Sequence, residues 1–222
     1  MRDTKNIFIV GGGTAGHVLP AIQVSSELIK NNYKVIFITD FRMFNFVNKN
    51  FVNKNFELLC VKGRGIYKGS IYKNLISMYL FFYAIFQSLY FTIKYKPVLS
   101  YGFGGGVTVA PLIISKIFRV PIILHEGNSI LGKANKLLYR YANHLTTFFP
   151  NLDNHDHYKY SVIGMPVREG IEKISKKNYT LHKEELINIL ITGGSLGAEV
   201  MATKITKALC NLPKQLQNKI SI

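Results

Sequence analysis

Asn6-Ile7-Phe8-Ile9-Val10-Gly11-Gly12-Gly13-Thr14-Ala15-Gly16-His17 sets a short apolar run directly against a run of glycine. An uncharged five-residue segment followed by turn formers predicts a buried strand at Asn6–Val10 and a glycine turn at Gly11–Gly16. Val18–Asn31 then carries Val18, Ile22 and Ile29 on roughly one face, which predicts a helix. Val35–Thr39 is a second apolar run, of the kind shown by parallel strands covered on both faces. Strand, glycine turn, helix and strand in close succession make a βαβ unit, whose crossover is expected to be right-handed.

The same alternation continues. Further strands are expected at Glu57–Val61, Val98–Ser100, Ile122–His125, Leu145–Thr147 and Ser161–Met165, with helices between most of them. Phe46–Asn55 repeats Phe-Val-Asn-Lys-Asn twice, too short a period for a solenoid, and reads as a local duplication in a surface helix or loop. Ser175–Glu185 is polar and Lys-rich, as a linker should be. The pattern then restarts with a strand at Leu186–Thr192, a glycine turn at Gly193–Gly197, a helix at Ala198–Cys210 and a strand beginning at Lys219. The expected organisation is a Rossmann-like α/β domain over residues 1–170, a linker over 171–185 and the start of a second domain over 186–222. A lone strand and helix bury too little to fold alone, so the second domain is expected to need more chain or a partner chain.

The chain has 222 residues, of which 48% are hydrophobic and 18% charged, which excludes a disordered or fibrous protein. With 28 Lys plus Arg against 12 Asp plus Glu, its formal net charge is +16, an attraction to something anionic. Where the charge sits says more. No Asp or Glu falls between Leu58 and His125, while Lys62, Arg64, Lys68, Lys73, Lys94, Lys96, Lys116 and Arg119 do. Inside that span Leu75–Ile93 is uncharged and rich in aromatics (Tyr79, Phe81, Phe82, Tyr83, Phe86, Tyr90, Phe91). Basic flanks on an apolar segment point to an anionic membrane surface rather than to nucleic acid. The segment is long enough to span a bilayer, but peripheral insertion and a plain core helix remain open beside it. Cys60 and Cys210 lack metal-ligand spacing, which excludes a zinc site and a disulfide scaffold, and both read as small core residues. The N-terminus lacks the apolar core of a signal peptide, so a cytoplasmic location is expected.

Glycine clusters follow three of the expected strands: Gly11–Gly16, Gly102-Phe103-Gly104-Gly105-Gly106 and Gly193-Gly194-Ser195-Leu196-Gly197. Glycine permits a tight turn and close backbone approach, and helix N–H groups behind it can receive an anion. Several such loops suggest a cleft that grips a diphosphate-rich ligand. Read literally, Gly11–Gly16 also satisfies G-x-G-x-x-G, and Asp40 ends the second strand where a ribose-binding acid would sit. A nucleotide-dependent Rossmann oxidoreductase therefore stays open. His17 opens the first helix beside the glycine turn, where a neutral imidazole could take a proton from a ligand hydroxyl. His125-Glu126-Gly127-Asn128 ends another strand, and Glu126 is a second candidate base, with a buried structural carboxylate as the alternative. No metal site is visible in the sequence.

Four of these segments, in order, resemble the MurG family of peptidoglycan glycosyltransferases. They are Gly12-Gly13-Thr14-Ala15-Gly16-His17-Val18-Leu19-Pro20, His125-Glu126-Gly127-Asn128-Ser129-Ile130 with Asn135-Lys136, Gly164-Met165-Pro166-Val167-Arg168, and Gly193-Gly194-Ser195-Leu196-Gly197-Ala198. The resemblance implies a GT-B fold, two Rossmann-like domains facing across a cleft. It implies transfer of N-acetylglucosamine from UDP-N-acetylglucosamine to undecaprenyl-diphospho-N-acetylmuramoyl-pentapeptide (lipid I) at the cytoplasmic face of the bacterial inner membrane, without a cofactor. The donor contacts it implies fall on Thr14, Ala15, Gly16, Asn128, Arg168 and Ser195, and its general base on His17. The glycine loops at Gly13, Gly104 and Gly105 would face the acceptor diphosphate. Departures from the family pattern are Ala15 for a glycine, Gly127 for a glutamine, Met165 for an asparagine and Gly106 for a tyrosine. Most of the family's C-terminal domain has no counterpart in these 222 residues, so a separate C-terminal chain or a non-catalytic remnant half also stays open.

Overall fold

The computed structural model describes residues 4–51, 55–62, 71–152, 159–167, 170, 171, 174, 187–191 and 198–221. The chain divides into two compact units, Met1–Glu169 and Gly170–Ile222. In the first, β1 (Asn6–Val10), α1 (Ala15–Lys30), β2 (Lys34–Thr39), α2 (Phe41–Asn50), β3 (Glu57–Cys60) and α3 (Ile71–Tyr95) are followed by β4 (Leu99–Gly102) and α4 (Val109–Ile117). Then come β5 (Ile122–Glu126), α5 (Lys133–Leu138), β6 (His144–Thr147) and β7 (Ser161–Val162). The seven strands form one sheet in the order β3-β2-β1-β4-β5-β6-β7, every pair parallel.

The alternating side chains of β1 explain the layering. Ile7 and Ile9, with Val35 and Phe37 of β2, pack under Val18, Ala21 and Ile22 of α1 and Met43 and Val47 of α2. Phe8 and Val10, with Ile36 and Ile38, face the opposite way, into a cluster with Ala84 of α3 and Leu112 of α4. Helices thus cover both faces, as uninterrupted apolar strands require. Gln87 pins α3 to the sheet edge by donating from Nε2 to the Cys60 carbonyl (3.3 Å) and accepting from the Lys62 N–H (3.0 Å). Of the two cysteines expected in the core, Cys60 is half-buried and Cys210 exposed.

The strand order reverses between β1 and β4. Chain excursions leave β1 in opposite directions there, which opens a crevice beyond the strands' C-terminal ends. Both described glycine clusters sit at that point, directly after β1 and β4.

Element boundaries differ from expectation in instructive places. Helix α1 begins at Ala15, three residues earlier than its apolar stripe, because extended Thr14 ends the glycine turn and the helix takes in Gly16 and His17. The last strand of the sheet stops at Val162, two residues before Gly164 turns to φ +79°. The first copy of the tandem repeat lies within α2. The linker expected at 175–185, the third glycine cluster, Arg168 and Ser195 lie outside the described residues.

In the second unit β8 (Ile187–Asn188) pairs in parallel with β9 (Ile220–Ser221), joined through α6 (Ala198–Cys210) and α7 (Lys214–Gln217). These strands are shorter than the apolar runs suggest.

Candidate functional site

The two glycine loops interlock at the crevice. The Gly12 N–H donates to the Gly104 carbonyl (3.3 Å) and the Phe103 N–H to the Val10 carbonyl (2.8 Å). A methyl group on Gly105 would lie 2.3 Å from the Gly12 carbonyl oxygen, and Gly105 holds φ +88°, so the second loop approaches the first backbone to backbone. Gly104, at φ +98°, leaves room for the His17 ring: a Cβ there would stand 3.2 Å from Nε2. Gly106, by contrast, faces open space, so the tyrosine of the family pattern is not excluded by packing at that position.

His17 is oriented by the first loop. Its Nδ1 lies 2.7 Å from the Gly12 carbonyl oxygen, which can only accept, so Nδ1 carries the proton. In the neutral ring the free lone pair then sits on Nε2, beside Gly104. The Thr14 hydroxyl makes no capping bond to α1 and lies 3.4 Å from His17 Nδ1. Ala15 and Gly16 occupy the first turn of α1, whose N–H groups have no acceptor within the helix. Ala15 lies outside the positive-φ positions, so the alanine costs no backbone strain.

Asp40 is bound to other work than a ribose. Its Oδ2 accepts from the Gly13 N–H (2.5 Å), and its Oδ1 caps α2 by accepting from Arg42 N–H (3.1 Å) and Met43 N–H (3.2 Å). This removes the acid that a dinucleotide site needs. The Gly13 N–H is thereby engaged within the site. Asp directly before the first helical residue was the sequence signal for a cap.

Glu126 requires a further correction. The carboxylate is 2% exposed. Oε1 accepts from the Asn128 N–H (3.0 Å) and Nδ2 (2.8 Å), and Oε2 from the Gly132 N–H (2.9 Å) and Asn135 Nδ2 (2.9 Å). A carboxylate offers about four lone-pair sites, and all are taken. No lone pair is left to receive a proton, so Glu126 is not placed to act as a base; it holds the loop that follows β5.

His125 is buried on the neighbouring side of β5. The Thr146 hydroxyl donates to the Leu124 carbonyl (3.0 Å), so its oxygen must accept from His125 Nδ1–H and from the Tyr101 hydroxyl, both at 3.1 Å. Nε2 is left as a buried atom without a hydrogen-bond partner among the described residues. The ring lies against Phe103, 5.6 Å between centroids. Tyr101 and Thr146 form this pair across strands, a proximity that no local sequence signal announces.

Burial pushes the His125 imidazole below its ordinary value, with the Glu126 charge opposing. The unfolded chain therefore takes up a proton first as pH falls through about 6.5. Stability is accordingly expected to fall as pH drops from 7 towards 5. Denaturant midpoints measured across that range should show the decline, and His125→Phe should flatten it. An unchanged pH dependence in the variant would sink the assignment.

Two departures from the family pattern meet in space. A Cβ on Gly127 would come 2.7 Å from Met165 Cε, so the methionine occupies ground that a side chain at 127 would need.

Residues 7–147 match the model of the glycosyltransferase family 28 N-terminal domain. Two curated relatives carry the name UDP-N-acetylglucosamine–N-acetylmuramyl-(pentapeptide) pyrophosphoryl-undecaprenol N-acetylglucosamine transferase. That of Acidiphilium cryptum is 31% identical over 219 residues, covering 97% of this chain and 59% of the relative. That of Protochlamydia amoebophila is 35% identical over 202 residues, covering 88% and 53%. The chain thus spans little more than half the length of these relatives. Among solved structures, Acinetobacter baumannii MurG aligns with TM-score 0.69 at 23% identity over 94% of this chain and 58% of that one. A glycosyltransferase from Rickettsia africae aligns with TM-score 0.60 at 13% identity over 99% and 68%. These likenesses show the fold, an α/β architecture of the GT-B type.

Proposed function

Because the chain belongs to glycosyltransferase family 28 through its N-terminal domain, we propose that it is the acceptor-side half of a UDP-N-acetylglucosamine-dependent transferase that converts lipid I to lipid II in peptidoglycan synthesis. The observation that carries this reading is His17, held by the Gly12 carbonyl with its Nε2 lone pair turned to the crevice at the switch point. In an inverting transfer the acceptor hydroxyl attacks the anomeric carbon while the bond to UDP breaks. His17 Nε2 takes the hydroxyl proton, and UDP leaves with the electron pair. The first-turn N–H groups of Ala15 and Gly16 and the Thr14 hydroxyl, which does not cap α1, are the donors for phosphate oxygens there. Asn128 contributes from the loop after β5, and Arg168 and Ser195 complete the donor contacts in this reading. The close-packed turns at Gly13, Gly104 and Gly105 shape the floor on which the acceptor diphosphate rests. The chemistry needs neither a covalent nucleophile nor a cofactor.

Labelled UDP-N-acetylglucosamine, lipid I and this chain, alone and mixed with the C-terminal half of a relative, test the reading. Label appearing in lipid II supports it. Absence of transfer even with the added half favours a non-catalytic binding half, and nicotinamide binding would return the oxidoreductase.

Helix α3 supports the anionic membrane surface as a partner in this reading. Leu75–Tyr95 is long and apolar enough to cross a bilayer. One face nevertheless packs on the sheet through Ala84, Ser88 and Tyr95, which a lipid-surrounded span would not do. The other face exposes Leu75, Met78, Tyr79, Phe82, Phe86, Tyr90 and Ile93 at helical spacing, with Tyr79 69% and Phe86 68% exposed. That stripe is too open for a plain core helix, and it suits peripheral insertion into an anionic surface. Tyr79→Glu with Phe86→Glu is expected to weaken co-sedimentation with phosphatidylglycerol vesicles at least about tenfold, each lost aromatic removing roughly 1.5–3 kcal/mol of burial. Melting should be unchanged, because both side chains are exposed. Undiminished vesicle binding would rule this face out.

A further inference from the structure

We propose that Glu126 is a positioning residue that turns the Asn128 carboxamide so that Oδ1 faces outward, making the C-terminal end of β5 an acceptor for a ligand hydroxyl or N–H. The inference deepens the nucleotide-sugar reading above, and the identity of the ligand rests on that reading.

An ionised carboxylate only accepts hydrogen bonds, so the Asn128 amide atom 2.8 Å from Glu126 Oε1 must be nitrogen. The same oxygen already receives the Asn128 backbone N–H at 3.0 Å, which fixes both ends of the residue to one atom. A side-chain amide held through its nitrogen has its carbonyl oxygen directed away. Asn128 itself is exposed, whereas Glu126 is 2% and Asn135 1% exposed. The clamp is therefore buried and the group it aims is accessible. Oε2 completes the clamp from below. It takes the Gly132 N–H and Asn135 Nδ2, and Asn135 Nδ2 also reaches the His125 carbonyl at 3.0 Å. The turn from Gly127 to Gly132 is thus closed over a single carboxylate at both ends.

A staple for the loop alone would need only the backbone N–H groups of Asn128 and Gly132. The additional bond to the exposed side chain of Asn128 is what gives the clamp a consequence for binding. Glutamine at 126 could not reproduce it. Its amide nitrogen would face two N–H donors, either those of Asn128 or those of Gly132 and Asn135, and one pair would be released.

NMR on the 222-residue chain tests the clamp directly. In the wild type the Asn128 Nδ2–H resonances should be dispersed and slow to exchange, and in Glu126→Gln they should move to free-amide positions. Unmoved resonances would overturn the proposal. UDP-N-acetylglucosamine titrations test its consequence. Glu126→Gln and Asn128→Ala are each expected to weaken binding about tenfold, the loss of one hydrogen bond to a polar ligand. The double variant should be no weaker than Asn128→Ala within about twofold, because both changes remove the same contact. A further tenfold loss from Glu126→Gln in the Asn128→Ala background would show that Glu126 acts by another route. Should Glu126→Gln not fold, Asn128→Asp carries the test, since it keeps an oxygen but sets a second carboxylate against Glu126. It should lose as much affinity as Asn128→Ala, and wild-type affinity there would overturn the proposal. A wild-type chain that does not bind UDP-N-acetylglucosamine even when mixed with the C-terminal half of a relative counts against the nucleotide-sugar reading, and the resonance shifts then decide the role of Glu126 alone.

Discussion

His17→Ala is expected to lower kcat for sugar transfer about 10²–10⁴-fold, the range that a positioned general base contributes. The residue sits where three independent constraints converge. The Gly12 carbonyl accepts from Nδ1–H and so assigns the lone pair to Nε2. Gly104, lacking a side chain, leaves the space against Nε2 open. The first turn of α1 fixes the Cα of His17 beside unpaired N–H groups that suit the leaving diphosphate. Alanine removes the base, but it also removes the bond to the first loop. His17→Asn separates the two effects. Its carboxamide nitrogen mimics Nδ1–H toward Gly12, while nothing replaces Nε2. Both variants should lose turnover alike, with little change in KM, when measured in the two-component transfer assay. Wild-type turnover in His17→Asn would show that the histidine anchors the loop and nothing more.

The parts of this site that the sequence discloses are those set by neighbours along the chain. Apolar runs ending in glycine clusters disclose β1, β4 and their loops, and the position of His17 after Gly16 places it at a helix start. Its tautomer could not be read, because it depends on a carbonyl whose direction exists only once the glycine turn has formed. Asp40 shows the same limit from the other side. Its sequence position fits a ribose ligand as well as a helix cap, and only the approach of Gly13 to the end of β2 shows which use is made of it. Glu126 looked like a base because an acid beside a histidine at a strand end is a common catalytic arrangement. The four donors that silence it come partly from Gly132 and Asn135, six and nine residues on, folded back by α5. Tyr101, Thr146 and His125 meet across three adjacent strands, and no spacing rule reaches that far. Long-range register, set by burial of both sheet faces, decides what each polar group at the strand ends can do.

Gly105→Ala is expected to cost about 3 kcal/mol or more and to lower Tm by roughly 6–12 °C for a unit of this size. Two penalties combine. At φ 88° and ψ 153° Gly105 occupies a region almost closed to residues with a Cβ. The added methyl would also stand 2.3 Å from the Gly12 oxygen and 2.8 Å from its carbonyl carbon. Neither backbone can yield. The Gly12 carbonyl is held by His17 Nδ1, and the Gly105 carbonyl by the N–H (3.1 Å) and hydroxyl (2.7 Å) of Thr108. Moving either loop breaks one of these bonds, so the same substitution should misplace His17 and depress transfer beyond what lost stability explains. Gly106→Ala is the internal control. It has no atom within 4 Å of the new methyl and no positive φ, so its effect should stay within about 0.5 kcal/mol. Thermal melts of the two single variants decide the matter. Equal melting temperatures would mean that the loops do not interlock as described, and that the glycines after β4 serve only to turn the chain.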